Sequence, residues 1–182
     1  MAYGVFESTN MRSTHAGGRI YDVVCASADI ENGTVGYLDG LATGETDIYK
    51  FVKGVSAGKV MVIADQPAWS ADDSKITNQR EDNYIIKAGT PFRARVIYVD
   101  DKFAVNKECF AAASQSALEA GKTVTVDAST GKLVVKTNDT ANGFVGTIEY
   151  TRQRGETLVT AAHTYGASTL MYVIKVANMV TA

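Results

Sequence analysis

Apolar residues along this chain recur mostly at every second position, in short runs broken by glycine, asparagine and aspartate. That spacing predicts β-strands joined by turns. The stretch around which the rest is organised is Asp82 to Phe103, DNYIIKAGTPFRARVIYVDDKF. A short apolar run, Tyr84-Ile85-Ile86, is interrupted by Ala88-Gly89-Thr90-Pro91, where proline fixes φ and pushes Thr90 towards extended backbone. Beyond the break, Phe92, Ala94, Val96 and Tyr98 share one face, and Arg93, Arg95, Ile97 and Val99 the other. The arginines occupy only the first half of their face, which predicts a strand that starts at a solvated rim or interface and ends buried on both sides.

The same reading predicts strands at Ile20–Ala26, Val35–Leu38, Ile48–Val52 and Val60–Ala64, the last apolar throughout and therefore central. Asn32-Gly33 supplies a turn. Thr123–Val126 and Lys132–Lys136 flank Asp127-Ala128-Ser129-Thr130-Gly131, a hairpin with Gly131 at the left-handed position and Val124 and Val126 facing Leu133 and Val135. Strands are also expected at Phe144–Tyr150 and Leu170–Val176, with Thr151–Gly155 a charged loop. One helix is expected, Asn106 to Gly121, with Asn106 as its cap, alanines inside and glycine at its end. The fold class expected is mainly β: a sandwich or barrel-like body with one short α-helix. Residues 1–18 hold Tyr3, Val5, Phe6 and Met11 among polar residues with no sustained period. They are expected to form an extended N-terminal arm, disordered or docked on a neighbouring subunit. Residues 19–182 are expected to be a single β-rich domain, with a possible subdivision near 104–122.

Composition narrows the function classes. A chain of 182 residues is long enough to bury about 70% of its unfolded surface in one core, and 46% hydrophobic with 21% charged residues is ordinary for a globular protein. A net charge of −2 and the lack of a Lys/Arg cluster argue against a nucleic-acid partner. No stretch approaches about 18 continuous apolar residues, and the N-terminus has no basic-then-apolar leader pattern. The expectation is a soluble product made in a cytoplasm and not bound to a membrane. Cys25 and Cys109 stand far apart without a CxxC spacing and are expected to be buried free thiols.

No residue set carries a specific catalytic or cofactor signature, so neither a cofactor nor a metal is expected. The segment Ser116–Thr123 has a serine where a phosphate-binding loop needs its first glycine, and it joins helix to strand rather than strand to helix. His15 and His163 have no ligand-spaced neighbours. The pairs Asp72-Asp73 and Asp100-Asp101 read as turns rather than as the two acids of a glycosidase. The residues offered as partner contacts are Tyr3, Phe6 and Met11 of the arm, Trp69 in the polar connection Gln66–Asp82, and the strand arginines Arg93 and Arg95.

Glu31-Asn32-Gly33-Thr34-Val35, the central Lys87–Ala94, the phrase Asp101-Lys102-Phe103-Ala104-Val105, the hairpin from Asp127 to Val135 and the β-rich end together resemble the head decoration, or capsid cement, proteins of tailed bacteriophages. The resemblance covers most of the chain after Ile20. It implies a virion protein with a compact β-rich body, no catalytic residues, the major capsid protein as partner, and frequent homo-oligomerisation. No contact residue is transferred by a motif. Other readings of the residues are a tail or baseplate subunit, a carbohydrate-binding β-sandwich using Trp69 and exposed tyrosines as stacking platforms, and, last, a hydrolase.

Overall fold

The structure, a computed structural model, describes residues 2–15, 17–68, 81–136, 142–155, 158–159, 164–165 and 169–180. In chain order the strands are β1 (Phe6–Asn10), β2 (Ile20–Val24), β3 (Val35–Leu41), β4 (Ile48–Lys53), β5 (Met61–Ala64), β6 (Pro91–Val96), β7 (Lys102–Asn106), β8 (Thr123–Val126), β9 (Leu133–Val135), β10 (Gly143–Arg154), β11 (Leu158–Val159), β12 (Thr164–Tyr165) and β13 (Thr169–Val180). The protein is mainly β, as its alternation predicts. Strands β2-β4-β3-β5-β6 close into a barrel, and β1-β7-β13-β10-β8-β9 form a six-stranded sheet beside it. Strands β11 and β12 pair with each other. Within the barrel every neighbouring pair is antiparallel except β2 with β4.

Alternate residues of the same strands serve two cores. Val62 and Ala64 of β5 point into the barrel with Val23, Phe51, Phe92 and Ala94, while Met61 and Ile63 point outward into the core beneath the sheet, with Phe103, Phe110, Phe144 and Ile174. That double duty is why β5 is apolar throughout. Barrel filling depends on a missing side chain as well: a Cβ on Gly36 would lie 2.5 Å from the Phe51 ring, so glycine at this point of β3 makes room for the phenylalanine.

The predicted hairpin forms in the expected register, Val124 opposite Val135 and Val126 opposite Leu133. Gly131 has φ +69°, and the Asp127 carboxylate accepts from the backbone N–H of Ser129 and Thr130 at 3.1 and 2.8 Å and from both hydroxyls at 2.8 Å. Those bonds hold its pKa down to about 2, the Thr130 N–H being the largest influence.

Several expectations fail for identifiable reasons. The helix from Asn106 to Gly121 is not α-helical: it consists of strand end and two 3-10 helices, Lys107–Cys109 and Ala112–Ala117. Asn106 does not cap it, because its side chain accepts from Val5 N–H (3.0 Å) and donates to Tyr3 C=O (2.9 Å). Between the two 3-10 helices, Phe110 bridges to Leu133 and the Ala111 N–H donates to the Leu133 carbonyl, which holds the chain extended there. The run Tyr84–Ile86 contributes one isolated bridge, Ile30 to Ile86, instead of a strand. The charged stretch after Tyr150 continues β10 as far as Arg154, its arginines paired with Glu7 and Glu81.

The N-terminal arm is the largest correction. Residues 6–10 are β1, an edge strand paired antiparallel with β7, and Phe6 and Met11 are buried in the sheet core. Asp101 then fastens the following turn, its carboxylate accepting from the Arg12 N–H at 2.7 Å and the Tyr98 N–H at 2.8 Å. A segment whose apolar side chains fill the core of its own chain does not reach out to a neighbour.

Candidate functional site

Of the six residues singled out from sequence, the five that are described do not come together in one place. Phe6 and Met11 are core residues. Arg95 is held internally, by an ion pair with Asp65 and a 3.3 Å bond from its guanidinium to the Ser13 carbonyl. Tyr3 is half-buried and fixed through its backbone to Asp82 and Asn106. Arg93 is exposed on the outer face of β6, opposite Asp22 of β2. Trp69 lies outside the described residues, as do His163 and the Asp72-Asp73 pair.

What the fold does assemble is one end of the barrel. Strand β2 starts there and β6 ends there, Ile20 opposite Arg95 and the Val96 N–H on the Arg19 carbonyl. Strand β3 ends there with Leu41 opposite Tyr49. Strand β5 begins there: continuing the Val62–Val96 register outward by two residues brings Val60 level with Tyr98. Six large hydrophobic side chains are exposed among the described residues, and four of them, Ile20, Leu41, Val60 and Val99, belong to this rim or to the turn leaving it, at 43 to 47% exposure. Scattered apolar residues need no explanation, but a concentration of them does.

Inside that ring stand three tyrosines, Tyr21, Tyr49 and Tyr98, each packed against the barrel core. Tyr21 and Tyr49 meet edge to face with ring centroids 5.1 Å apart, a favoured aromatic geometry. Arg19 donates to the Tyr21 hydroxyl at 3.3 Å, a bond that raises the pKa of its guanidinium. The Arg12 guanidinium lies over the Tyr98 ring, 5.3 Å from the centroid. The rim thus offers apolar area, hydroxyl-tipped rings and guanidinium forks at one end of the barrel. Tyrosine and arginine are the residue types concentrated in protein-binding surfaces.

Sequence reasoning missed this constellation, although a signal was present. The dipeptide Ile-Tyr occurs three times, at Ile20-Tyr21, Ile48-Tyr49 and Ile97-Tyr98. All three fall at this end of the barrel, where β2 and β4 begin and where the chain leaves β6.

Elsewhere a cleft of about 330 Å³ opens between the 3-10 helix at 107–109 and the start of β13, lined by Asp82, Asn106, Lys107, Glu108 and Leu170 among others. Its described lining holds no histidine or cysteine. Among the described residues no group of three His, Cys, Asp or Glu side chains is placed to hold a metal ion. The two cysteines are free and buried. Burial pushes the Cys109 thiol up to about 12, far from the low values that make thiols reactive. Comparison with protein-family models, with curated proteins and with solved structures returned no match to this chain.

Proposed function

We propose that this protein is a non-enzymatic structural component of a bacteriophage particle that binds the outside of the capsid and stabilises the shell. The observation that carries the proposal is the barrel rim: a concentrated apolar, tyrosine and arginine surface on a body whose barrel and sheet cores share strand β5, which suits tight docking without reorganisation. The sequence resemblance to head decoration proteins supplies the setting. Docking at this rim buries the exposed apolar side chains against the shell protein, and binding to the folded lattice alone shifts the balance away from disassembly. Many identical copies multiply a modest single-site affinity.

The rim replaces the N-terminal segment as the docking element, because β1 belongs to the core. The deciding measurement is quantitative peptide mass spectrometry on gradient-purified particles from the source culture. A copy number comparable to that of the most abundant shell protein is expected. A few copies per particle would move the protein to a tail or baseplate role, and its absence from particles would overturn the reading.

A further inference from the structure

The cations near the barrel rim divide into two groups. Lys59 pairs with Asp39 at 3.1 Å, Arg95 with Asp65, and Lys175 with Asp100 at 3.3 Å. Arg12 and Arg19, by contrast, enter no ion pair among the described residues. The Asp101 carboxylate accepts from the Arg12 and Tyr98 backbone N–H groups, and the Arg12 charge acts on it from beyond ion-pair distance. Both guanidinium groups are nevertheless placed: that of Arg12 over the Tyr98 ring, with its backbone anchored on Asp101, and that of Arg19 by one bond to the Tyr21 hydroxyl, which leaves its other N–H donors for a ligand. A guanidinium presents a planar fork that matches a carboxylate bidentately, and its electrostatic value rises when apolar neighbours exclude water.

We infer that the rim receives an apolar segment of another protein that carries aspartate or glutamate, its carboxylates engaging Arg12 and Arg19 and its apolar side chains lying among Ile20, Leu41 and Val60. For the identity of that partner as the shell protein, the inference rests on the function proposed above. The rim's own loop between β3 and β4 carries Glu45 and Asp47, both exposed, so a second copy of this chain is the competing occupant.

The test expresses the full chain in the producing cells as wild type, Arg19→Glu, and Arg12→Glu with Arg19→Glu, with Lys50→Glu as a control for charge reversal. Lys50 is exposed at the level of Val24, towards the opposite end of the barrel. Circular dichroism and thermal midpoints of the purified variants confirm that each is folded. Copy number per particle is then read by mass spectrometry. Loss of about tenfold or more for Arg19→Glu, deeper for the double variant, with Lys50→Glu within about twofold of wild type, is the expected result.

Wild-type incorporation of a folded Arg19→Glu would overturn the inference and leave the capsid reading standing. If the wild-type chain itself is missing from particles, the capsid reading fails. The rim is then judged separately by p-benzoylphenylalanine placed at Tyr98 and photolysed in intact cells. A cross-linked apolar segment of another protein bearing Asp or Glu, lost on Arg19→Glu, supports the inference. A cross-link to a second copy of this chain, or no cross-link, overturns it.

Discussion

The barrel and the sheet solve the same problem in opposite ways. The barrel is built from one contiguous stretch, β2 to β6, so all its pairings except the closing one, β2 with β6, join strands near in sequence, and its interior is filled by its own strands. The sheet gathers both ends of the chain: β1 and β13 flank β7, and β10 reaches β8 and β9 on the other side. Its core is completed by Val35, Met61 and Ile63, which the barrel turns outward. Backbone bonds cross the joint as well, the Val35 N–H donating to the Gly131 carbonyl at 2.9 Å and the Val55 N–H to the Ala128 carbonyl at 3.1 Å. The local half leaves one end free to carry an exposed aromatic rim, whereas the non-local half depends on segments that look dispensable in sequence.

The sharpest way to break this asymmetry is to remove residues 2–18. An arm would be lost without harm, but here the deletion takes Phe6 and Met11 out of the sheet core and uncovers the β7 edge. The truncated chain is expected to lose cooperative unfolding by circular dichroism. A truncated protein that melts like the full chain would refute the assignment of β1 to the core. On a finer scale, Met11→Ala should lower stability by about 2–5 kcal/mol in denaturant titration, the range for truncating a fully buried methionine. Truncating the exposed rim residue Leu41 to alanine should change stability by less than about 0.5 kcal/mol.

That contrast also explains what was legible in the sequence. Strands β2 to β6 announce themselves because each has a turn signal close by and an alternation or apolar run that matches its burial, Phe92, Ala94 and Val96 being the clearest case. The Asp127 hairpin was legible for the same reason, since its turn bonds and its strand pairing all lie between Val124 and Val135. Strand β1 was not, because Phe6 pairs with Val105 almost a hundred residues away. Nor was the loss of the helix: its alanine content and possible Asn106 cap are local preferences, overridden by the distant demands of Val5, Tyr3 and Leu133. The rim tyrosines were visible as residues but not as a group, because only barrel closure brings the three Ile-Tyr pairs together.

Two aspartates probe the joint and the sheet with opposite pH signatures. Burial raises the Asp101 pKa, opposed by its bonds to the Arg12 and Tyr98 N–H groups. Its folded state therefore takes up a proton more readily than the unfolded chain, so the stability it contributes is full in acid and declines as pH rises through the raised value. Asp127 is shifted down, so its contribution is full above the usual carboxylate value of about 3.9 and is lost as pH falls towards about 2. Asp101→Asn places an amide N–H where one of two backbone donors needs an acceptor and should cost about 1–3 kcal/mol at neutral pH. Asp127→Ala at the exposed turn should cost about 1 kcal/mol. Stability measured between pH 2 and pH 7 should lose its declining component in the Asp101 variant and its acid-side loss in the Asp127 variant. Unchanged slopes in both would remove these carboxylates from the pH response.

The smallest effect tests which half opens first, and the chain supplies a thiol for each. Cys25 follows β2 and packs in the barrel core, its sulfur 3.7 Å from the Ser27 hydroxyl near the surface. Cys109 lies where β1, the barrel and the sheet meet, its sulfur within 3.5 Å of the Val5 and Asn32 carbonyls and the Asn106 side-chain oxygen. Reaction of Cys109 requires an opening that separates β1 from the joint, and its raised pKa slows attack until it is exposed. Cys25 needs only local loosening of the barrel end opposite the rim. Under native conditions at pH 8 an alkylating reagent followed by peptide mass spectrometry should therefore label Cys25 before Cys109. The reverse order would mean that the N-terminal strand detaches more easily than the barrel end loosens, and that the sheet, despite its shared core, is the weaker of the two halves.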